Sequence, residues 1–532
     1  MNNMDPVTAI VWIVSFVVLT VIVTGLSRRV GWSAPVVLVL VGAVFSFIPG
    51  VPQIDIQPEL VLYGILPPIL FAAAIRTSFV DVHARRDSIL LLSVGLVAFT
   101  VIAVGLATWL IVPTMTLAAA FAFGAVVAPT DAVAVTATAG RLGLPRRMVT
   151  VLEGESLLND ATALVALNAS IAAIVSVLNP WMVVGDFALA IVGGGAVGLA
   201  VGFVLAVIRK RLRAPVLDTS LSLVTPYLAF IPAQFIHGSG VLSVVVAGLY
   251  LGYRAPAVQS AEARIAESIN WRTIQFLLEN AVFLLMGLAL SSVVRGVLKT
   301  GLSVGYVVLV SAVVLITLII ARVVWMITVT AVYHSGPQRL RERSWSWRTS
   351  VAVSFAGMRG VVTLAAAFLL PAETPYRAFL QFLAFVVVLG TLLEGLALPW
   401  IIRRLRLPAP NLAQETSEMR RLQVEAQTAG LARLEEEASE TEDERVVGRL
   451  RADAVFLAEA LENPETGEGD DAPRAYLRLR KGMIEAEREA VLAARAEGRY
   501  EEPAVRAVLA LLDAEEAALR SSTPRKPGSQ LT

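Results

Sequence analysis

Apolar runs separated by short polar breaks fill the first 405 or so residues of this 532-residue chain, and no water-soluble fold has room to bury them all. Most approach the ~20 residues a helix needs to cross the hydrocarbon layer of a bilayer. We read thirteen, at 7–26, 34–48, 58–76, 88–112, 115–139, 149–178, 185–209, 217–235, 239–253, 271–292, 303–333, 349–370 and 377–404. Hydrophobic residues at 56% and charged residues at 16% fit the same reading. Lipid offers the backbone no hydrogen-bond partner, so segments of this length cross it as helices. The expected fold is an all-α polytopic membrane protein.

Alternate loops differ in charge and set the expected orientation. One side carries 22 Lys and Arg residues, among them Arg28, Arg29, Arg85, Arg86, Lys210 and Arg211, whereas the other has only Arg295, Lys299 and Arg377. Short cytoplasmic loops hold the basic excess. The N-terminus is therefore expected outside and the C-terminus in the cytoplasm. The first run lacks a basic leader and is followed by Arg28-Arg29, so it reads as an anchor and not a cleaved signal. With no cysteine and three scattered histidines, neither disulfides nor a zinc or redox centre is expected, and no cofactor.

The composition changes after residue 406. Residues 1–406 read as a membrane domain and 407–532 as a cytoplasmic helical tail; from residue 411 on, 26 acidic and 17 basic side chains stand among Ala-rich and Leu-rich stretches. The tail reads as a solvated helical or dimerising element and not as an ion sensor.

Ionisable groups at bilayer depth are costly and mark ion or proton pathways. The buried set comprises Asp131, Glu153, Glu155, Asp160, Glu279 and Glu394, with Arg359 and Arg322 as the buried cations. Pro129, in the fifth run, removes a backbone donor and breaks the helix beside Thr130 and Asp131. Unwound backbone at that depth lines a cavity or lies buried in protein, and its carbonyls can hold a cation. In the sixth run Ser156 and Asp160, four apart, share a face, and Glu155 and Asn159 form a neighbouring pair. A Thr, a Ser and two carboxylates thus offer oxygen ligands to one hard monovalent cation, with Asp160 at the centre. Gly357 and Gly360 flank Arg359 and permit a second interruption, in the twelfth run. The guanidinium needs a buried carboxylate; Glu155 is the first choice and Glu153 the second.

Four motifs in order carry a resemblance: Ala-Pro-Thr-Asp (128–131), Gly-Glu-Ser-Leu-Leu-Asn-Asp (154–160), Ser-Gly-Val-Leu-Ser-Val-Val-Val-Ala-Gly-Leu (239–249) and Gly-Met-Arg-Gly (357–360). Together they resemble the electroneutral branch of the monovalent cation:proton antiporters over residues 1–406, above all bacterial sodium/proton antiporters with a long tail. The resemblance implies two inverted six-helix repeats with interrupted helices five and twelve, a homodimer, and exchange of Na+ or Li+ for H+ across the cell membrane in the service of pH homeostasis. It makes Asp160 the carboxylate that binds cation and proton in turn, with Asp131, Ser156 and Thr130 completing the site. It makes Asn159 the mark of electroneutrality, and Glu155 with Arg359 a structural ion pair. Many relatives carry an acid where this chain has Ala72, so Glu153, Glu279 and Glu394 stand as possible accessory acids; for Glu279 and Glu394 a protonated, hydrogen-bonded structural role is the favoured reading.

The expected partners are the two ions, the bilayer and a second copy of the chain, with no nucleic acid and no enzymatic chemistry. Three rival readings remain: K+ in place of Na+, an organic-anion carrier using an Arg359 that lacks a carboxylate partner, and a channel or scaffold without tight coupling.

Overall fold

The computed structural model describes residues 5–49, 51, 58–131, 146–175, 180–212, 214–341, 344–407, 412–437, 445–452, 472–496, 508–509 and 511–516, and these are helices, turns and connecting segments without strands. They belong to two compact units, Met1–Pro408 and Ala409–Thr532.

The first unit contains α1 (Pro6–Val30), α2 (Ala34–Phe45), α3 (Leu60–Ala74), α4 (Arg86–Ile111), α5 (Leu117–Val127), α6 (Arg146–Val175) and α7 (Pro180–Arg209). It continues with α8 (Pro215–Phe235), α9 (Gly240–Val258), α10 (Ala261–Leu298), α11 (Val304–Ser335), α12 (Trp347–Ser354), α13 (Val361–Phe368) and α14 (Arg377–Leu405). Each apolar run contains helix within its described residues, while residues 132–139 of the fifth run and 176–178 of the sixth lie outside them. Nine of these helices, among the described residues, are long and apolar enough to cross a membrane, while α2, α3 and α5 are shorter and the twelfth run is split into α12 and α13.

Helix starts follow from local chemistry. Thr116, Ser239, Ser260, Ser303 and Ser346 each accept a hydrogen bond from the backbone N–H three residues on, satisfying a donor that the first turn leaves orphaned. The Ser260 cap starts α10 ten residues before the apolar run predicted at 271, so Arg264 and Glu267 lie on helix and not in a loop. In α3, a wide turn over Leu60–Ile65 leads into Leu66-Pro67-Pro68, where two residues have no N–H to give.

Close packing in the membrane depends on small residues. A side chain on Gly42 of α2 would run into the backbone of α10 at Leu284 and Gly287, so the two helices touch backbone to backbone. This contact fixes α10, with α1, α3 and α8 as further neighbours.

In the second unit α15 (Leu412–Glu437) and α16 (Ala472–Ala496) are described. Arg480 bridges Glu487 and Glu515 at 2.9 and 2.6 Å, and Arg488 bridges Asp513 and Glu516 at 2.8 and 2.7 Å.

Candidate ion-binding site

The end of one helix and a break in another meet within the membrane unit. α5 stops at Val127, just before Pro129, and the chain continues as irregular backbone to Asp131; residues 132–145, which hold the rest of the predicted fifth run, lie outside the described residues. The second break spans Phe355–Gly360, between α12 and α13. The Asp131 N–H donates to the Met358 carbonyl at 2.8 Å, tying one break to the other. Gly360 leaves room for this crossing, because a Cβ there would overlap the Asp131 carboxylate and displace it.

Arg359 does something other than expected. Its Nε donates to the Val127 carbonyl at 3.1 Å, its Nη1 to the Gly357 carbonyl, and its backbone N–H to Thr391 Oγ1 at 3.0 Å. Broken helices leave carbonyls without partners and a partial negative charge at the C-terminal end. A 3%-exposed guanidinium between the two breaks answers both needs. The carboxylate that the sequence assigned to it belongs to another arginine. Arg322 of α11 grips Glu155 with both terminal nitrogens, at 2.7 and 3.0 Å, and donates to the Val353 carbonyl at 3.2 Å. The expected pair of Glu155 and Arg359 is thus corrected to Glu155 and Arg322. The physical reason is room: a Cβ on Gly357 would collide with the Arg322 guanidinium, so the break that holds Arg359 also admits Arg322. Glu153, the second choice for Arg359, lies on the wall of a cavity instead.

Thr130 joins this network to the unwound chain. Its hydroxyl donates to Glu155 at 3.0 Å and accepts from Asn159 Nδ2 at 2.6 Å, while its carbonyl accepts from the same nitrogen at 3.1 Å. Glu155 and Asn159, the neighbouring pair on α6, therefore hold Thr130 in place. The Asn159 Oδ1 is buried without a hydrogen-bond partner among the described residues.

The other face of α6 opens on a cavity of about 330 Å3. Ser156 and Asp160 line it from α6, and Thr130 and Asp131 from the first break, so the four residues expected to surround a cation share one space. Asp160 is 5% exposed, and among the described residues no hydrogen bond or ion pair reaches its carboxylate. Glu153, Glu279, Gln275, Arg76, Thr77 and Thr363 complete the polar lining. Thr363, Gln275 and Arg76 were not picked out from the sequence; Thr363 Oγ1 is a buried hydroxyl without a hydrogen-bond partner among the described residues, on a residue that lines the cavity. Glu394, offered as an accessory acid, is half-buried on α14 and does not line the cavity.

A second cavity, about 290 Å3, lies along the later half of α6 from Ala161 to Ala172, with Asp186 and His237 in its wall. Asp160 lines only the first cavity.

The sodium/hydrogen exchanger transmembrane family matches residues 15–404. The chain belongs to that family. It is 32% identical over 529 residues to a Na+/H+ exchanger of Mycobacterium bovis whose function is uncharacterized, covering 96% of each chain. It is 32% identical to a sodium, potassium, lithium and rubidium/H+ antiporter of Bacillus pumilus over 68% of this chain and 56% of that one. A low-affinity Na+/H+ antiporter of Synechocystis is 31% identical over 70% of this chain and 69% of its own. The fold is that of the sodium proton antiporter MjNhaP1 of Methanocaldococcus jannaschii, with a TM-score of 0.60 at 18% identity over 76% of this chain and all of the other.

Proposed function

We propose that this protein exchanges Na+ or Li+ for H+ across the cell membrane, electroneutrally and by alternating access, with the two ions competing for Asp160. The observation that carries the reading is the lining of the larger cavity: four carboxylates, of Asp131, Glu153, Asp160 and Glu279, face one guanidinium, that of Arg76. Such a space attracts cations, and hydroxyl, carboxylate and carbonyl oxygens suit a hard monovalent ion. The exchanger family and the antiporters similar to this chain support the same assignment.

Each residue has a task. Asp160 binds a proton or a cation, never both, and Asp131, Ser156 and Thr130 supply the remaining ligands. Asn159 donates two hydrogen bonds to Thr130. A carboxylate at that position has no N–H to give and would repel the Thr130 carbonyl, so a neutral amide both holds the unwound chain and keeps the charge of the moving body low. Reorientation is favourable when the Asp160 charge is neutralised by either ion, which makes crossing by the empty, charged carrier rare and the exchange tight. Acid inhibits by filling the site with protons.

The same proposal places the N-terminus outside, the tail 407–532 in the cytoplasm, thirteen crossings within 1–406, and two copies side by side in the bilayer. With that topology α6 enters from the cytoplasm. The cavity along its first half then opens inward, and the cavity along its second half faces outward.

Arg359 offers the anion-carrier reading little. Its hydrogen bonds go to carbonyl oxygens and not to a carboxylate, as that reading required, yet it is absent from the cavity wall. The deciding experiment is dissipation of a preset proton gradient in proteoliposomes on adding sodium, lithium, potassium or choline, at several clamped voltages. Response to sodium or lithium at a rate independent of voltage is expected. A potassium-only response would replace the ion, voltage dependence would remove electroneutrality, and no cation response would overturn the proposal.

A further inference from the structure

The walls of the larger cavity come from two sets of helices. Asp131, Ser156 and Asp160 stand on the first break and α6, whereas Glu279 and Gln275 stand on α10, which packs against α1, α2, α3 and α8 and is locked to α2 by the Gly42 contact. Glu279 is only 9% exposed, yet among the described residues no cation lies within ion-pair distance of it. The nearest arrangement avoids such a pair. Gln275 Nε2 donates to Glu279 Oε1 at 2.5 Å, and Gln275 Oε1 accepts from Arg76 Nη2 at 2.6 Å, so the amide is inserted between carboxylate and guanidinium. Arg76 is held back further by its Nε, which donates to the Ala72 carbonyl at 3.1 Å. A carboxylate kept in a buried, cation-attracting space and shielded from direct neutralisation is poised for a mobile cation.

We propose that Glu279 is a cation ligand in one facing state only, a station on the fixed wall that strengthens Na+ binding while the cavity is open as seen here and is left behind when Asp160 turns to the other face. This inference rests on the exchange reading above. Moving a bound ion between faces requires the two walls to part, and Glu279 lies on the wall that does not carry Asp160. The protein is therefore asymmetric: Na+ entering from the cavity face meets Glu279 in addition to Asp131, Glu153 and Asp160, and Na+ entering from the other face reaches Asp160 without meeting Glu279. One partly buried carboxylate near a monovalent cation is worth about tenfold in affinity.

The test is the half-saturating Na+ concentration measured from each face of the full-length protein in proteoliposomes of defined orientation, for wild type, Glu279→Gln and Glu279→Asp. Glu279→Gln, which keeps the size and one hydrogen bond to Gln275, is expected to raise the value about tenfold from the cavity face, leave the other face unchanged and keep the maximal rate. Glu279→Asp, which keeps the charge, is expected to retain most of the wild-type asymmetry and covers the case in which the glutamine variant fails to fold. An equal rise on both faces, no rise on either, or loss of asymmetry in both variants alike would overturn the inference while leaving exchange itself in place. A wild-type protein without any Na+-driven proton movement would instead overturn the exchange reading.

Discussion

Glu267 and Asp160 are equally buried, each 5% exposed, and their surroundings are opposite. Glu267 sits where α7, α8 and α10 meet. It accepts from Arg209 at 2.6 Å, from Gln259 at 2.9 Å and from the Ser222 hydroxyl, which in turn accepts from Trp271 at 2.8 Å; Asp218 shares the same Arg209 and Gln259. Asp160 faces a cavity and receives no hydrogen bond from the described residues. Burial alone does not separate a structural charge from a working one. Partners do: a carboxylate fully occupied by protein donors has nothing left for a cation, and one that opens on a wet, acidic space keeps its lone pairs for the ions that pass.

The contrast is sharpest under substitution. Asp160→Asn is expected to reduce exchange to the leak level with the melting temperature unchanged or raised, since it strands no partner, and coupled exchange in that variant would remove Asp160 from the site. Glu267→Gln is expected to do the reverse, keeping exchange and costing about 1–3 kcal/mol of stability, because Arg209 keeps only Asp218 as its counter-charge. If exchange were lost and stability kept, the comparison would fail.

The pair of Glu155 and Arg322 extends the structural class into the heart of the site. Arg322→Met leaves a 1%-exposed carboxylate without its counter-charge, and a loss of about 3–5 kcal/mol in unfolding free energy is expected, much of it recovered in the Glu155→Leu, Arg322→Met double variant. Thermal unfolding in detergent reads both. A stable Arg322→Met alone would mean that the pair does not hold the core.

How much of this was legible in the sequence divides along the same line. Asp131, Thr130, Ser156 and Asp160 were readable because a proline break and an i, i+4 spacing are local facts, and the structure gathers all four around one cavity. The partner of Glu155 was not, because Arg322 and Arg359 are both buried cations and only Gly357, by having no side chain, shows which of them can reach. The Arg209 cluster was missed for a related reason. Asp218, Arg209 and Glu267 stand near helix ends and read as loop charges, and their burial depends on how four helices pack, which no spacing reveals. Glu279 could be placed at depth by its run, but its direction depends on the rotation of α10.

Gly360→Ala tests the crossing of the breaks with a milder change. The added methyl overlaps the Asp131 carboxylate and must displace it, so the half-saturating Na+ concentration is expected to rise about tenfold or more. Unchanged affinity would mean that Asp131 is free to move without cost. The smallest effect belongs to the tail. Hydrogen bonding to Arg480 holds the Glu515 carboxyl below the usual carboxylate range, so its contribution is complete above the ordinary carboxylate value and is lost as pH falls through the lowered one. Glu515→Gln at neutral pH is expected to leave exchange unchanged and to lower the helicity of the tail slightly, as circular dichroism of the full chain would record; a clear loss of exchange would give the tail a part in transport.

The central claim is that sodium and the proton compete for one carboxylate. It is tested most directly by adding Na+ to the purified protein in weakly buffered detergent solution and titrating the protons released. The account predicts a proton released for each Na+ bound by the wild type, release that shrinks as the starting pH is raised and the site is already empty of protons, and none from Asp160→Asn. Undiminished release from Asp160→Asn, or Na+ binding by the wild type without any release near the pH where Asp160 is protonated, would contradict it.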